Sequence, residues 1–137
     1  MLKPLSGIAG IGTTICLSVS GALAEEDCNK LETYAAWKEC VSEEYDKADT
    51  ELNVDYSKLV DKLHGQDLEL LKEAQGAWTK FRDAECAFKR LGSIGGSVNS
   101  TVFANCMTGV TEQRIKDLNY YLTCEEGDLS CPTWSSK

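Results

Sequence analysis

Histidine, closely paired cysteines and positive charge are all scarce in this chain. The one histidine, His64, stands beside a turn glycine, Gly65. Nucleophilic catalysis by serine or cysteine needs an adjacent base, which a single residue at a helix end does not supply. Near a helix C-terminus its positive charge is simply favourable. No two cysteines have CxxC spacing, so the usual zinc ligand sets are excluded. Lysine and arginine number 14 against 22 aspartates and glutamates, a formal net charge of −8. Such a chain repels nucleic acid and anionic lipid and attracts basic proteins, although solubility alone also explains the balance. Carboxylates are abundant enough for a glycosidase-like pair, but a thin helical domain offers little cleft for a polysaccharide. Accordingly no catalytic residue, metal ligand or cofactor is expected.

The first residues read as a leader rather than as fold. Lys3 precedes an apolar, glycine-bearing run from Leu5 to Leu23, and Ala22-Leu23-Ala24 fits a small-x-small cleavage site. The pattern predicts a secretory signal over residues 1–24, cleaved before Glu25, and no stable membrane insertion afterwards. An uncleaved anchor is the competing reading, but the glycines, threonines and serines suit it poorly. Cys16 is no lipoprotein site either, because bulky Ile15 precedes it. Cleavage removes Cys16 and leaves Cys28, Cys40, Cys86, Cys106, Cys124 and Cys131. An even set in a small exported domain points to disulfides. It also removes Lys3, which makes the mature chain one charge more negative.

Within residues 25–137 three helical patterns appear, and no second domain. Trp37, Val41, Tyr45, Ala48, Leu52, Tyr56, Leu59 and Leu63 recur in steps of three and four, one face of a long helix. Gly65 stops it, and Asp67 is suited to cap the next. Leu70, Ala74, Ala77, Phe81, Ala84, Phe88 and Leu91 then form an unbroken heptad stripe, the seam of a helix packed lengthwise on others. Beside it runs a mixed line of Gln75, Trp78, Arg82 and Cys86. A glycine-serine loop, Gly92–Thr101, follows without periodicity. Its Asn99-Ser100-Thr101 formally matches a glycosylation acceptor, although Ser100 or Thr101 as helix cap explains it equally. Phe103, Met107, Val110, Arg114, Leu118 and Tyr121 mark the third helix. Pro132 breaks the tail, residues 123–137. The expected fold is therefore all-α, an antiparallel three-helix bundle with disulfides.

Folding the first two helices about Gly65 brings Arg82 level with Asp49, Trp78 with Leu52, and Cys86 to about one turn from Cys40. This predicts Cys40–Cys86, Cys28–Cys106 and a tail staple Cys124–Cys131, one of the fifteen connectivities that six cysteines allow. At mid-height Asp49, Asn53, Gln75, Trp78, Arg82 and Arg114 converge. A binding cluster is the sharper interpretation, but bundles commonly fix register this way, and a structural network is expected.

The combination of Ala74-Gln75-x-x-Trp78, Phe81-Arg82-Asp83-x-x-Cys86 and Gly95-Gly96-Ser97, followed by Cys106, Thr111, Arg114 and Leu118, resembles the LprI-type lysozyme-inhibitor N-terminal domain family. The resemblance covers Cys28 to Leu122 and implies a small exported bacterial helical protein with paired cysteines. It also implies inhibition of lysozyme-like muramidases, protecting peptidoglycan in the periplasm or outside the cell. The family's recurring residues look architectural, so none is carried over as inhibitory. The Gly92–Thr101 loop is the expected contact surface: Gly95 and Gly96 permit close backbone approach, and Ser93, Ser97 and Asn99 offer neutral hydrogen bonds. Read as an ordinary linker, the same loop has no such role. The alternative function is a non-catalytic envelope or stress-related protein whose helices dock a different partner.

Overall fold

A computed structural model describes residues 27–125 and 127–132. The leader at 1–24, the end of the tail and Glu126 lie outside the described residues. Within them the chain forms three long helices and no strand: α1 (Tyr34–Lys62), α2 (Gly65–Lys89) and α3 (Asn99–Leu122). Single 3-10 turns, Cys28–Lys30 and Leu91–Ser93, precede α1 and follow α2.

Thr33 starts α1: its side chain accepts a hydrogen bond from the Ala36 amide at 3.2 Å, one of the donors that the first turn leaves unpaired. Lys62 in the last turn suits the negative end of the helix dipole. The chain reverses through Leu63 and His64, and Gly65 takes a φ of +56°, a value natural for glycine. The second helix begins at Gly65 itself, so Asp67 lies in its first turn rather than at its cap.

The path is up, down and up. Asp49 meets Arg82 across α1 and α2, and Gln75 meets Arg114 across α2 and α3, so both pairs are antiparallel. Asp55 meets Asn119, and Tyr34 meets Ser97, so α1 and α3 run parallel. The third helix packs most extensively on α1 and less on α2. The core is Ala48, Leu52, Leu59 and Leu63 of the first helix and its cap, Leu71 of the second, and Ile115 and Leu118 of the third. Tyr56, Leu68, Trp78 and Tyr121 close its edges.

The apolar stripes of α1 and α3 face inward as expected, but that of α2 does not. Leu70, Ala74, Ala77, Phe81, Ala84, Phe88 and Leu91 are all exposed. What turns inward is the mixed line: Arg82 and Cys86 are buried, and Gln75 and Trp78 partly so, with Leu71 beside them. A disulfide and two guanidiniums that need partners hold that line inward, and apolar area alone does not orient the helix.

Two expected disulfides are corrected. The pairs are Cys28–Cys40, Cys86–Cys106 and Cys124–Cys131, with Cα–Cα separations of 5.7, 5.5 and 5.8 Å. The sequence places Cys86 about one turn from Cys40, but nearness in height does not decide which neighbour a side chain faces. Cys86 turns toward α3. The 3-10 turn at Cys28–Lys30 folds back on the start of α1, so Cys28 reaches Cys40 locally instead of Cys106.

Candidate functional site

Two regions collect the residues singled out in the sequence. The first is a stack of cations on an indole. The Arg82 guanidinium carbon lies 5.2 Å from the centre of the Trp78 ring, and that of Arg114 lies 6.0 Å from it. Both arginines are buried, where attraction to the ring face is least weakened by water. Arg82 also donates to Asp83 at 3.0 Å and, more distantly, to Asp49 at 3.4 Å. Arg114 donates from Nε to Gln75 Oε1 at 3.0 Å. Asn53 joins through Asp49, donating to its carbonyl at 2.8 Å and its carboxylate at 3.1 Å. The six residues are thus linked across three helices. Most of their polar groups are turned on one another, a way of fixing helix register, while Arg114 Nη2 is buried with no hydrogen-bond partner among the described residues.

The second region is the α2–α3 connection at one end of the bundle. The Cys86–Cys106 bond closes its base. The Ser93 hydroxyl donates to the Arg90 carbonyl at 2.9 Å, and Asn99 Nδ2 donates to the same carbonyl at 3.2 Å and to Ser93 Oγ at 3.1 Å. Backbone bonds from Gly96 to Ser93 and from Asn99 to Gly96 tighten the turn. Gly95 has a φ of +82°, and a Cβ on Gly96 would stand 3.2 Å from the Ser93 carbonyl oxygen, so both glycines are used by the turn. The Tyr34 hydroxyl, from the start of α1, donates to the Ser97 carbonyl. Ser93 and Asn99 therefore spend hydrogen bonds on the loop itself, while Ile94, Gly95, Gly96 and Ser97 face solvent. The result is a fixed, protruding turn.

Sequence reasoning missed three features. Asp55 is buried to 3% exposure and accepts from Lys58 Nζ at 2.7 Å and Asn119 Nδ2 at 2.8 Å. Its signal was a carboxylate one step from the Leu52 and Leu59 stripe, where solvent is not expected. Arg90 lies 4.7 Å over the Phe103 ring, tying the base of the loop to α3. In the tail, Asp128 accepts from the Tyr120 hydroxyl at 2.6 Å and from the Ser130 amide at 2.9 Å. These bonds and one from the Ser130 hydroxyl favour the ionised form and hold the carboxyl at about 2. Two groups of potential ligands, Cys28, Cys40 and Glu44, and Cys124, Asp128 and Cys131, involve cysteines already joined as disulfides, which offer no thiolate to a metal.

Comparison with known proteins resolves the affiliation. Residues 25–118 match the model described as "Lysozyme inhibitor LprI", a span holding all of α1 and α2, the loop and most of α3. The chain belongs to the LprI family. Among curated proteins this LprI member is 29% identical over 115 residues to "Uncharacterized protein R02472" of Rhizobium meliloti (strain 1021), covering 74% of this chain and 83% of that one. It is 28% identical over 104 residues to "Uncharacterized protein YecT" of Escherichia coli (strain K12), covering 65% and 64%. No solved structure matches. The LprI match ends at residue 118, so the Cys124–Cys131 staple lies beyond it. Among the described residues, no helix is long and apolar enough to cross a membrane.

Proposed function

We propose that this LprI protein is exported, loses residues 1–24, and acts in the periplasm or outside the cell as a non-catalytic inhibitor of lysozyme-like muramidases. The observation that carries this reading is the family match over residues 25–118. Charge supports it. Muramidases of this kind are usually basic, and a partner at −8 or below draws them in and raises the association rate.

The contact surface in this proposal is the turn of Ser93, Gly95, Gly96, Ser97 and Asn99. A muramidase cleft is a concave site with carboxylates at its floor. A narrow, glycine-bearing turn with exposed Ile94 at its tip and hydroxyl and amide groups along it suits such a cleft in shape and chemistry. The Cys86–Cys106 bond, the Ser93–Asn99 pair and the Tyr34 anchor favour binding because little conformational freedom is left to lose. The test is lysis of a peptidoglycan suspension by a purified muramidase, with wild type and with the variants Ile94→Asp and Ser97→Ala. Weaker inhibition by both, at unchanged helical content and melting temperature, supports the loop. Full inhibition by both removes it, and no inhibition by wild type at molar excess removes the function.

A further inference from the structure

We infer that the cavity between Arg114 and the stapled tail is a binding site for a small amphiphilic carboxylate, with its acyl body against leucines and its carboxylate on the guanidinium. The observation behind it is a buried charge with too few partners. Arg82 and Arg114 share the Trp78 ring, but Arg82 has two carboxylates within 3.4 Å, whereas the hydrogen bond that Arg114 donates goes to neutral Gln75. Arg114 is only 9% exposed, and its Nη2 has no hydrogen-bond partner among the described residues. Its Nη1 stands 4.0 Å from Asp117, too far for a hydrogen bond. A buried guanidinium is costly unless it is both paired and hydrogen-bonded. Water can take up the bond but not the charge.

Arg114 lines two cavities, and its neighbours choose between them. The cavity toward Phe81 also holds Asp117, so an anion entering there meets like charge. The other, of about 390 Å³, is backed by the core leucines Leu59, Leu63 and Leu71, and Leu70 and Ala74 of α2 and Pro132 of the tail complete its walls. The acidic residue of that lining, Asp67, comes eight residues before Gln75. It therefore lies about 12 Å along α2 from the level of Arg114, at the far end of the cavity.

Shape and chemistry fit one class of ligand. The volume is that of a small-molecule site, and such sites are mostly apolar with a few placed polar groups. A slot running along a helix between aliphatic side chains suits an unbranched acyl chain better than a flat ring, and a cation at one end of it suits a terminal carboxylate. A guanidinium meets a carboxylate through two parallel N–H donors, so one ligand group satisfies Nη1 and Nη2 together. Nη2 lies beneath the cavity surface, and a small turn of the Arg114 side chain presents it.

The acidity of the chain does not cancel this. A net charge of −8 slows the approach of an anion, but salt screens that field, while a pair made inside the cavity wall is screened much less. Asp128, close in sequence to Pro132, has its carboxylate taken up by the Tyr120 and Ser130 hydroxyls. The Cys124–Cys131 bond holds the tail that carries Pro132 in place.

Isothermal titration of the natively processed, oxidised protein with decanoate, kept below its micelle concentration, tests this. Saturable binding at one site is expected, together with a shift of the Arg114 Nε–H resonance. Decanol, with the same chain and no charge, should bind at least about tenfold more weakly through loss of charge-assisted hydrogen bonds. Ala74→Asp, at an exposed position in the cavity wall, supplies a carboxylate from the chain itself and should weaken decanoate binding to the same degree. Val54→Asp, at an exposed position of α1 outside the lining, should not. No saturable binding up to millimolar decanoate overturns the inference, as does equal affinity for decanol or binding that Ala74→Asp leaves unchanged. Muramidase inhibition is read separately, and none of these outcomes depends on it.

Discussion

Arg82 lies over Trp78 with 5.2 Å from its guanidinium carbon to the ring centre, and both belong to the line of α2 that faces the bundle. That stacking accounts for an otherwise costly arrangement, a cation buried among helices with only exposed or half-exposed carboxylates at 3.0 and 3.4 Å. A double-mutant cycle with Arg82→Ala and Trp78→Leu should give a coupling of about 0.5–2 kcal/mol. Urea melts of the four proteins measure it. Additive effects would leave the stacking without energetic weight.

Asp55 and Asn119 make a polar link between the parallel helices at 2.8 Å. Asp55→Ala leaves the Asn119 amide short of an acceptor in a half-buried position, and a loss of about 1–3 kcal/mol is expected. Replacing both residues with alanine should cost less than the two single losses added together. Thermal unfolding of the set provides the comparison.

The Thr111 hydroxyl is fully buried and has no hydrogen-bond partner among the described residues. Thr111→Val keeps the shape and removes the unpaired group, so a gain of about 1 kcal/mol is expected. A loss in the same melt would mean that the hydroxyl is hydrogen-bonded after all.

The Asp128 carboxyl is held down to about 2, below the ordinary aspartate value of 3.8, because Ser130 and Tyr120 bond its charged form. A carboxyl depressed by folding contributes order that is present above its unfolded pKa and lost as pH falls through the folded value. The tail contact should therefore persist at pH 4 and release between about pH 4 and pH 2. The Asp128 carboxyl ¹³C shift follows this directly, and Tyr120→Phe should move its midpoint upward.

Peptide mapping of the oxidised protein should recover Cys28 linked to Cys40 and Cys86 linked to Cys106. Loss of the second bond opens a 20-residue loop and should cost about 3 kcal/mol. Because that bond also closes the base of the turn, inhibition should fall with it.

How far the sequence could be read differs from helix to helix. For α1 and α3 one stripe is apolar and its opposite face polar, so periodicity and burial coincide at Val41, Leu52, Leu59, Met107 and Leu118. α2 carries two stripes. Periodicity reports which is greasier, not which is covered, and the covered one contains Arg82, Gln75 and Cys86, whose partners come from other helices. The same limit explains the sulfur pairs: height along a hairpin is readable, but the direction in which Cys86 faces depends on α3. The local fold-back that brings Cys28 to Cys40 has no periodic trace. The six polar residues at mid-height were legible because helix spacing fixes their level. The anchor from Tyr34 to Ser97 was not, because it joins a helix start to a loop 63 residues away.

The most direct test is the rate at which a purified lysozyme-like muramidase clears a peptidoglycan suspension as natively processed protein is added, at low and at raised salt. The rate should fall in a saturable way at low salt, with the half-effect point moving to higher protein concentration as salt screens the acidic surface. A clearing rate that stays at the enzyme-alone value in molar excess of protein, at both ionic strengths, would contradict the account.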